Sequence, residues 1–247
     1  MNDTTTVRIL DHRTSEERDR EFLPGMGKPW LLPLYDMFAR FSGVRVLHDR
    51  TAALAGVAPG ESVLDVGCGT ANLTLAVLRA QPAARVTGLD PDVAALRIAA
   101  RKATRRRVPL TLVQGFADRL PIDNGSLDHV VSSLALHHVP DEARARFGQE
   151  VFRVLRPGGK VTIVDLASSG GGDGSHGDGS HGDGTHAGHG RRGRGRSAGS
   201  AHPHPARNLG GGALVRHLAD AGFTDAREVE RVEHRYGPLT FVQATRG

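Results

Sequence analysis

Only one cysteine stands in this chain of 247 residues. Cys68 alone cannot close a disulfide within the chain, and it cannot supply a cysteine-based zinc cluster. A reducing compartment fits, so the chain reads as cytoplasmic. Long apolar runs are missing as well. No stretch approaches the roughly 20 residues that cross a bilayer, so no membrane span is expected. The first thirty residues are charged and lack the apolar core of a secretory signal. A strong excess of one charge is also absent. Thirty-two Lys and Arg face 27 Asp and Glu for a net +5, and +2 of that lies between Ser168 and Asn208. Such a mild balance gives no ground for a nucleic-acid partner.

What is present is enough apolar sequence, 38%, for one folded domain. Residues 1–29 are polar and read as a flexible N-terminus. Residues 30–58 form a helical preface, two helices broken near Ser42-Gly43. From Ser62 the pattern becomes short apolar runs alternating with amphipathic stretches, the signature of a parallel sheet with crossover helices. Strands are expected at Ser62–Val66, Ala84–Asp90, Leu110–Gly115, Leu127–Ala135 and Lys160–Ala167. Helices are expected at Ala71–Arg79, Asp92–Arg105 and Asp141–Leu155, the last stopped by Arg156-Pro157-Gly158-Gly159. Residues 168–208 are a low-complexity insert of Gly, Asp, Ser and His with almost no apolar residue. That composition cannot pack a core, so disorder is expected. Beyond it come a helix, then two alternating strands, AREVERVEHRY and LTFVQATR. Only Gly237-Pro238 separates them, which predicts an antiparallel hairpin.

The strongest chemical signal is VLDVGCGTANLTLAV, Val63 to Val77. A buried strand here enters a helix through a glycine-rich turn. Glycines let the backbone approach a ligand, and the helix N-terminus offers N–H groups to a carboxylate or phosphate. About twenty residues on, Asp90 ends the second strand, where a carboxylate can accept both hydroxyls of a ribose. A nucleoside site follows. A nicotinamide site does not, because Asn72 stands where the third glycine of that fingerprint belongs. No Gly-Lys-Ser/Thr makes a phosphate loop.

In these motifs the chain resembles the class I S-adenosylmethionine-dependent methyltransferases, from about Gly60 to Leu166 and again from Leu209 to Arg246. VLDVGCGT is similar to that family's first motif, GLDPD to its ribose loop, and GFADRLP to its adenine loop. LDHVVSSLALHHV is similar to its fourth strand, and RVLRPGGKVTIVD to its corner into the fifth. The resemblance implies a Rossmann-like α/β fold, a seven-stranded mostly parallel sheet with an antiparallel last strand. It implies S-adenosylmethionine as cofactor. Gly67, Cys68 and Gly69 would pass beneath the methionine portion and ribose, Asp65 would face the amino end, Asp90 with Pro91 would hold the ribose, and Ser133 would close the fourth strand's side. Tyr35 either shapes the sulfonium pocket or fills core.

Two positions depart from the family pattern. Ala71 replaces a glycine. Phe116-Ala117 replaces the usual Asp-Ala of the adenine loop, so Phe116 either lies against the adenine or is plain core. The Ala117 N–H would reach the ring edge, and Asp118 would serve the amino group from two residues on.

Catalysis in this family is chiefly alignment of an activated methyl group with a nucleophile. His137 and His138 end the fourth strand at the ligand-binding edge. His138 is the candidate base, with loop packing as its alternative. The absence of Asn/Asp-Pro-Pro-Tyr/Phe at Ser132-Ser133-Leu134-Ala135 argues against a nucleic-acid base acceptor, and one cysteine argues against arsenite. The remaining reading is a small-molecule acceptor, in the manner of quinone-type methyltransferases. The rival is a non-catalytic module whose His-rich insert binds metal; no metal is assigned to the site itself, and the oligomeric state is open.

Overall fold

The computed structural model describes residues 6–22, 43–167, 211–235 and 237–247. Eight strands form one sheet: β1 (Val7–Asp11), β2 (Ser62–Val66), β3 (Arg85–Asp90), β4 (Leu110–Gln114), β5 (Leu127–Ser133), β6 (Leu155–Leu166), β7 (Arg227–Val232) and β8 (Leu239–Thr245). Their order is β1-β4-β3-β2-β5-β6-β8-β7. All pairings are parallel except those of β8, which runs antiparallel to both β6 and β7. The helices are α1 (Ser15–Arg18), α2 (Val44–Ala55), α3 (Asn72–Ala80), α4 (Val93–Arg106), α5 (Asp141–Val154) and α6 (Gly211–Asp220).

The central strands are apolar on both faces because both faces are covered. Val63 packs with Leu73, Leu96 and Ala99 of α3 and α4. Its neighbour Leu64 points the other way, into a cluster with Phe147, Val151, Leu214 and Leu218 of α5 and α6. This period-2 alternation fixes register, since a slip of one residue would exchange the two faces. Asp92 starts α4 by accepting the N–H groups of Ala94 (2.8 Å) and Ala95 (3.3 Å). At the far side of the sheet, α5 and α6 approach so closely that a Cβ on Gly148 would stand 2.7 Å from the His217 carbonyl oxygen.

Three expectations change. The sheet has eight strands because Val7–Asp11 lies in the stretch read as a flexible N-terminus. This strand is mostly exposed, and what holds it is a ladder to β4, from Val7 opposite Leu110 to Asp11 opposite Gln114. The hairpin connection is longer than two residues: β7 ends at Val232, after a register shift between Glu228 and Glu230. Strand β6 begins at Leu155, directly after α5, with Gly158 (φ 79°) donating its N–H to the Arg246 carbonyl at 2.7 Å. The first helix of the preface and the 168–208 insert lie outside the described residues. No helix among the described residues is long and apolar enough to cross a membrane.

Gly148→Val should force α5 away from α6 and cost about 1–3 kcal/mol, the range for overpacking a filled interior. Urea unfolding of the variant would show this as a lower midpoint with the slope unchanged.

Candidate functional site

The strands β2, β5 and β6 are neighbours, and their C-terminal ends bring three loops together. The first is the glycine turn after β2. Its backbone is left-handed at Gly67 (φ 72°), Gly69 (φ 50°) and Ala71 (φ 64°). At Gly67 no side chain fits, because a Cβ would meet that of Ala135 at 2.3 Å. The N–H groups of Gly67 and Cys68 both donate to the Leu89 carbonyl, at 2.8 and 3.0 Å. The Cys68 side chain packs among the apolar residues of α3 and α4, and burial pushes its thiol well above its ordinary value. Cys68 thus serves the turn through its backbone. Ala71, standing in place of a glycine, holds a conformation that L-residues enter at a cost.

Two buried carboxylates face this turn. Asp90, at the end of β3, accepts the Gly69 N–H on one oxygen (2.8 Å) and the Asp92 N–H on the other (2.9 Å). Each oxygen keeps accepting capacity for a diol. Burial raises the Asp90 pKa to about 6, against the lowering effect of those two N–H groups. Asp65, on β2, is almost fully enclosed, and the Thr74 hydroxyl donates to its Oδ2 at 2.5 Å. Its Oδ1 is buried with no hydrogen-bond partner. Burial raises its pKa to about 7. A buried carboxylate oxygen left unpaired is costly unless a ligand completes it. An ammonium group beside it would both pair the oxygen and restore its charge. The residues present therefore fit the amino acid end and ribose of S-adenosylmethionine.

The adenine loop differs from its expected arrangement. Phe116 is buried, and the Arg20 guanidinium lies 4.5 Å from its ring centre. Asp118 faces two arginines, Arg20 at 2.8 Å and Arg146 at 3.0 Å. Burial alone would raise its pKa, but these partners hold it below its ordinary value. Its carboxylate is thus committed to ion pairs, where the sequence suggested an adenine contact. Arg20 reaches the loop because α1 is fastened there: Arg119 Nε donates to Glu17 at 2.7 Å. Ala117 is half-buried beneath the same loop. Pro91 offers its carbonyl to Gln114 Nε2 at 3.0 Å, tying β3 to β4. Tyr35 lies outside the described residues.

The turn after β5 carries the histidines. Ser133 ends the strand with its hydroxyl buried and without a hydrogen-bond partner. Leu134 follows with φ 54°, a rare backbone for a leucine, and Leu136–His138 form one turn of 3-10 helix. Asp165 on β6, fully buried, holds this turn. It accepts the Leu136 N–H at 2.8 Å, the His137 N–H at 3.3 Å and the Leu166 N–H at 2.8 Å. The His137 Nδ1 lies 2.6 Å from its Oδ1. The His138 ring stacks on that of His137, centres 3.9 Å apart and tilted. His137, the neighbour of the expected His138, is joined to a buried carboxylate.

Two residues of this arrangement escaped the sequence reading. Asp165 had a signal: a lone carboxylate inside the apolar run VTIVDLA must find partners. Lys102 had none. From α4 its Nζ reaches the Thr70 carbonyl (2.8 Å), the Thr70 hydroxyl (2.8 Å) and Asn72 Oδ1 (2.9 Å), either side of strained Ala71.

Comparison with known proteins agrees with this geometry. Residues 63–159 match the family model described as a methyltransferase domain. The demethylmenaquinone methyltransferase of Staphylococcus aureus (strain JH9) is 36% identical over 160 residues, 64% of each chain. The phthiotriol/phenolphthiotriol dimycocerosates methyltransferase of Mycobacterium leprae is 38% identical over 124 residues, 50% of this chain and 44% of that one. The chain spans between 44% and 64% of the length of these and similar curated relatives. An S-adenosylmethionine-dependent methyltransferase from Aquifex aeolicus shares the fold with a TM-score of 0.61, 17% identity, and coverage of 89% of this chain and 99% of that one.

The raised Asp65 pKa has a sign that can be tested. In the unliganded protein, Asp65 stabilises the fold below about pH 4, and that contribution is lost as pH rises through about 7. A ligand's ammonium group beside it reverses the preference. Binding of S-adenosylhomocysteine should therefore strengthen from about pH 5.5 to 7.5 and release a proton near pH 6.5. Calorimetry in two buffers of different ionisation enthalpy would measure that proton, and Asp65→Asn should sharply reduce it, leaving the smaller share of Asp90. Lys102→Met should loosen the turn and weaken the same ligand about tenfold, equivalent to about 1.4 kcal/mol, in a titration at fixed pH.

Proposed function

We propose that this chain, which carries a class I S-adenosylmethionine-dependent methyltransferase domain, transfers the cofactor's methyl group to a small-molecule acceptor. The observation that carries the reading is the pair of buried carboxylates about the glycine turn, one of them with an unpaired oxygen. When bound, the cofactor supplies an electrophilic methyl carbon on a sulfonium sulfur. Asp65 pairs its ammonium group, and Asp90 accepts the ribose hydroxyls while its own position is fixed by Gly69 and Asp92. Gly67 and Gly69 let the backbone lie beneath it. Phe116 and the Ala117 N–H contact the adenine, Pro91 frames the ribose, and the Ser133 hydroxyl finds its partner in the complex.

The remaining work is positional. An acceptor aligned with the methyl carbon in a site stripped of water gains most of the rate that approach and orientation can supply. The relatives from S. aureus and M. leprae are named for small-molecule acceptors, which supports an acceptor of that kind here. No comparison favours a non-catalytic module. A cytoplasmic location belongs to the same proposal, resting on the single cysteine.

Asp90→Ala should weaken S-adenosylhomocysteine at least tenfold in a calorimetric titration, because two hydroxyls lose a charged acceptor. A chain with residues 169–206 replaced by a short linker should bind as the full chain does. Undiminished binding by Asp90→Ala would remove the ribose assignment.

A further inference from the structure

We propose that His137 is the general base for an acceptor carrying an acidic hydroxyl, a phenol or an enol, and that Asp165 is its positioning residue. This rests on the methyltransferase reading above and names the acceptor class for the same site.

Asp165 is enclosed at the end of β6 with three backbone N–H groups directed onto its two oxygens. Such a carboxylate is strongly held in place beside the ring. With Nδ1 only 2.6 Å from Oδ1, the imidazole carries its proton on Nδ1 and turns Nε2, with its lone pair, away from the carboxylate. Nε2 has no hydrogen-bond partner among the described residues. The His137 side chain is 16% exposed, enough for a small molecule to reach it. The turn itself is rigid: the buried Arg144 of α5 donates to the Val139 carbonyl at 2.8 Å, and Leu134 accepts a left-handed backbone to enter it.

Its location ties this base to the methyl donor. Ala135, two residues before His137, is the residue against which Gly67 is pressed too closely for any side chain. The side chain of Ala135, in the base turn, therefore packs directly on the Gly67 backbone of the cofactor turn. A buried carboxylate, an oriented histidine and the cofactor turn form one continuous arrangement across β2, β5 and β6.

Acidity selects the acceptor. A neutral imidazole takes a proton effectively from a phenolic hydroxyl, ordinarily near 10. An aliphatic alcohol, close to water at about 15.7, is too weak an acid. An ammonium acceptor carries a positive charge toward a sulfonium, whereas a developing phenolate is attracted to it. In the step, His137 Nε2 takes the hydroxyl proton. The acceptor oxygen's electron pair forms the new bond to the methyl carbon as the carbon–sulfur bond breaks, and sulfur keeps that pair as a neutral thioether. The imidazolium, steadied by Asp165, then returns its proton to water.

The experiment uses the full chain, S-adenosylmethionine and a series of para-substituted phenols of increasing acidity, from 4-methylphenol to 4-nitrophenol, beside benzyl alcohol and benzylamine. The formation of S-adenosylhomocysteine is followed. Turnover is expected on the phenols alone. His137→Gln should bind S-adenosylhomocysteine as the wild type does and lose about 100-fold in turnover on 4-methylphenol. The deficit should shrink steadily toward 4-nitrophenol, which needs the base least. Asp165→Asn should show the same trend with a smaller loss, and nitrogen-resolved NMR of the wild type should show His137 protonated on Nδ1. Turnover confined to the amine, no turnover on any phenol, or a deficit independent of phenol acidity would overturn the proposal. Any of these, with cofactor binding intact, leaves the methyltransferase reading standing; loss of cofactor binding by the wild type would instead remove that reading.

Discussion

The contact between Gly67 and Ala135 constrains the whole site. The Ala135 methyl group fills the space a side chain on Gly67 would need, and that contact fixes how the turn after β2 sits against the turn after β5. On one side, Gly67 and Cys68 are tied to β3 through the Leu89 carbonyl, which sets Asp90 beneath Gly69. On the other, the chain from Ala135 passes into the short helical turn that Asp165 holds. The parallel sheet makes this possible, since β2, β5 and β6 are neighbours that all end at the same edge. Loops at such an edge are where doubly wound folds place their ligands.

The site stores unfavourable energy, and its form indicates what relieves it. Asp65 and Asp90 are carboxylates in surroundings that raise their pKa values to about 7 and about 6, both chiefly by burial. Ala71 and Leu134 occupy left-handed backbone without being glycine. None of these features serves the stability of the unliganded chain. Each is held by neighbours that over-determine it: Lys102 for the Ala71 turn, and Arg144 with Asp165 for the Leu134 turn. Strain and unpaired polar atoms concentrated at one edge, with a well-packed core elsewhere, are the pattern of a preorganised binding site.

Much of this was legible in the sequence because it depends on local chemistry. The strand Ser62–Val66, the glycine turn and Asp90 were read at their observed positions, since buried strands, left-handed turns and helix starts each require particular residues within a few positions. The antiparallel pairing of the last two strands followed from two adjacent alternating runs, although the link between them is longer than the two residues read. What was missed depends on partners distant in the chain. Val7–Asp11 is a strand only because β4 pairs with it, and its mostly exposed residues carry no burial signal. Lys102 sits among other basic residues of α4, and nothing local marks it as the one that reaches Thr70. Asp118 looked available to a ligand until Arg20, 98 residues earlier, was seen to hold it. The choice between His137 and His138 likewise needed Asp165, 28 residues later.

The most direct test of the account is a crystal structure of the chain with S-adenosylhomocysteine. The ligand's amino group should lie within hydrogen-bond distance of Asp65 Oδ1 and both ribose hydroxyls on Asp90, with the glycine turn unmoved. A ligand bound elsewhere, or bound at this edge with Asp65 Oδ1 still unpartnered, would contradict it.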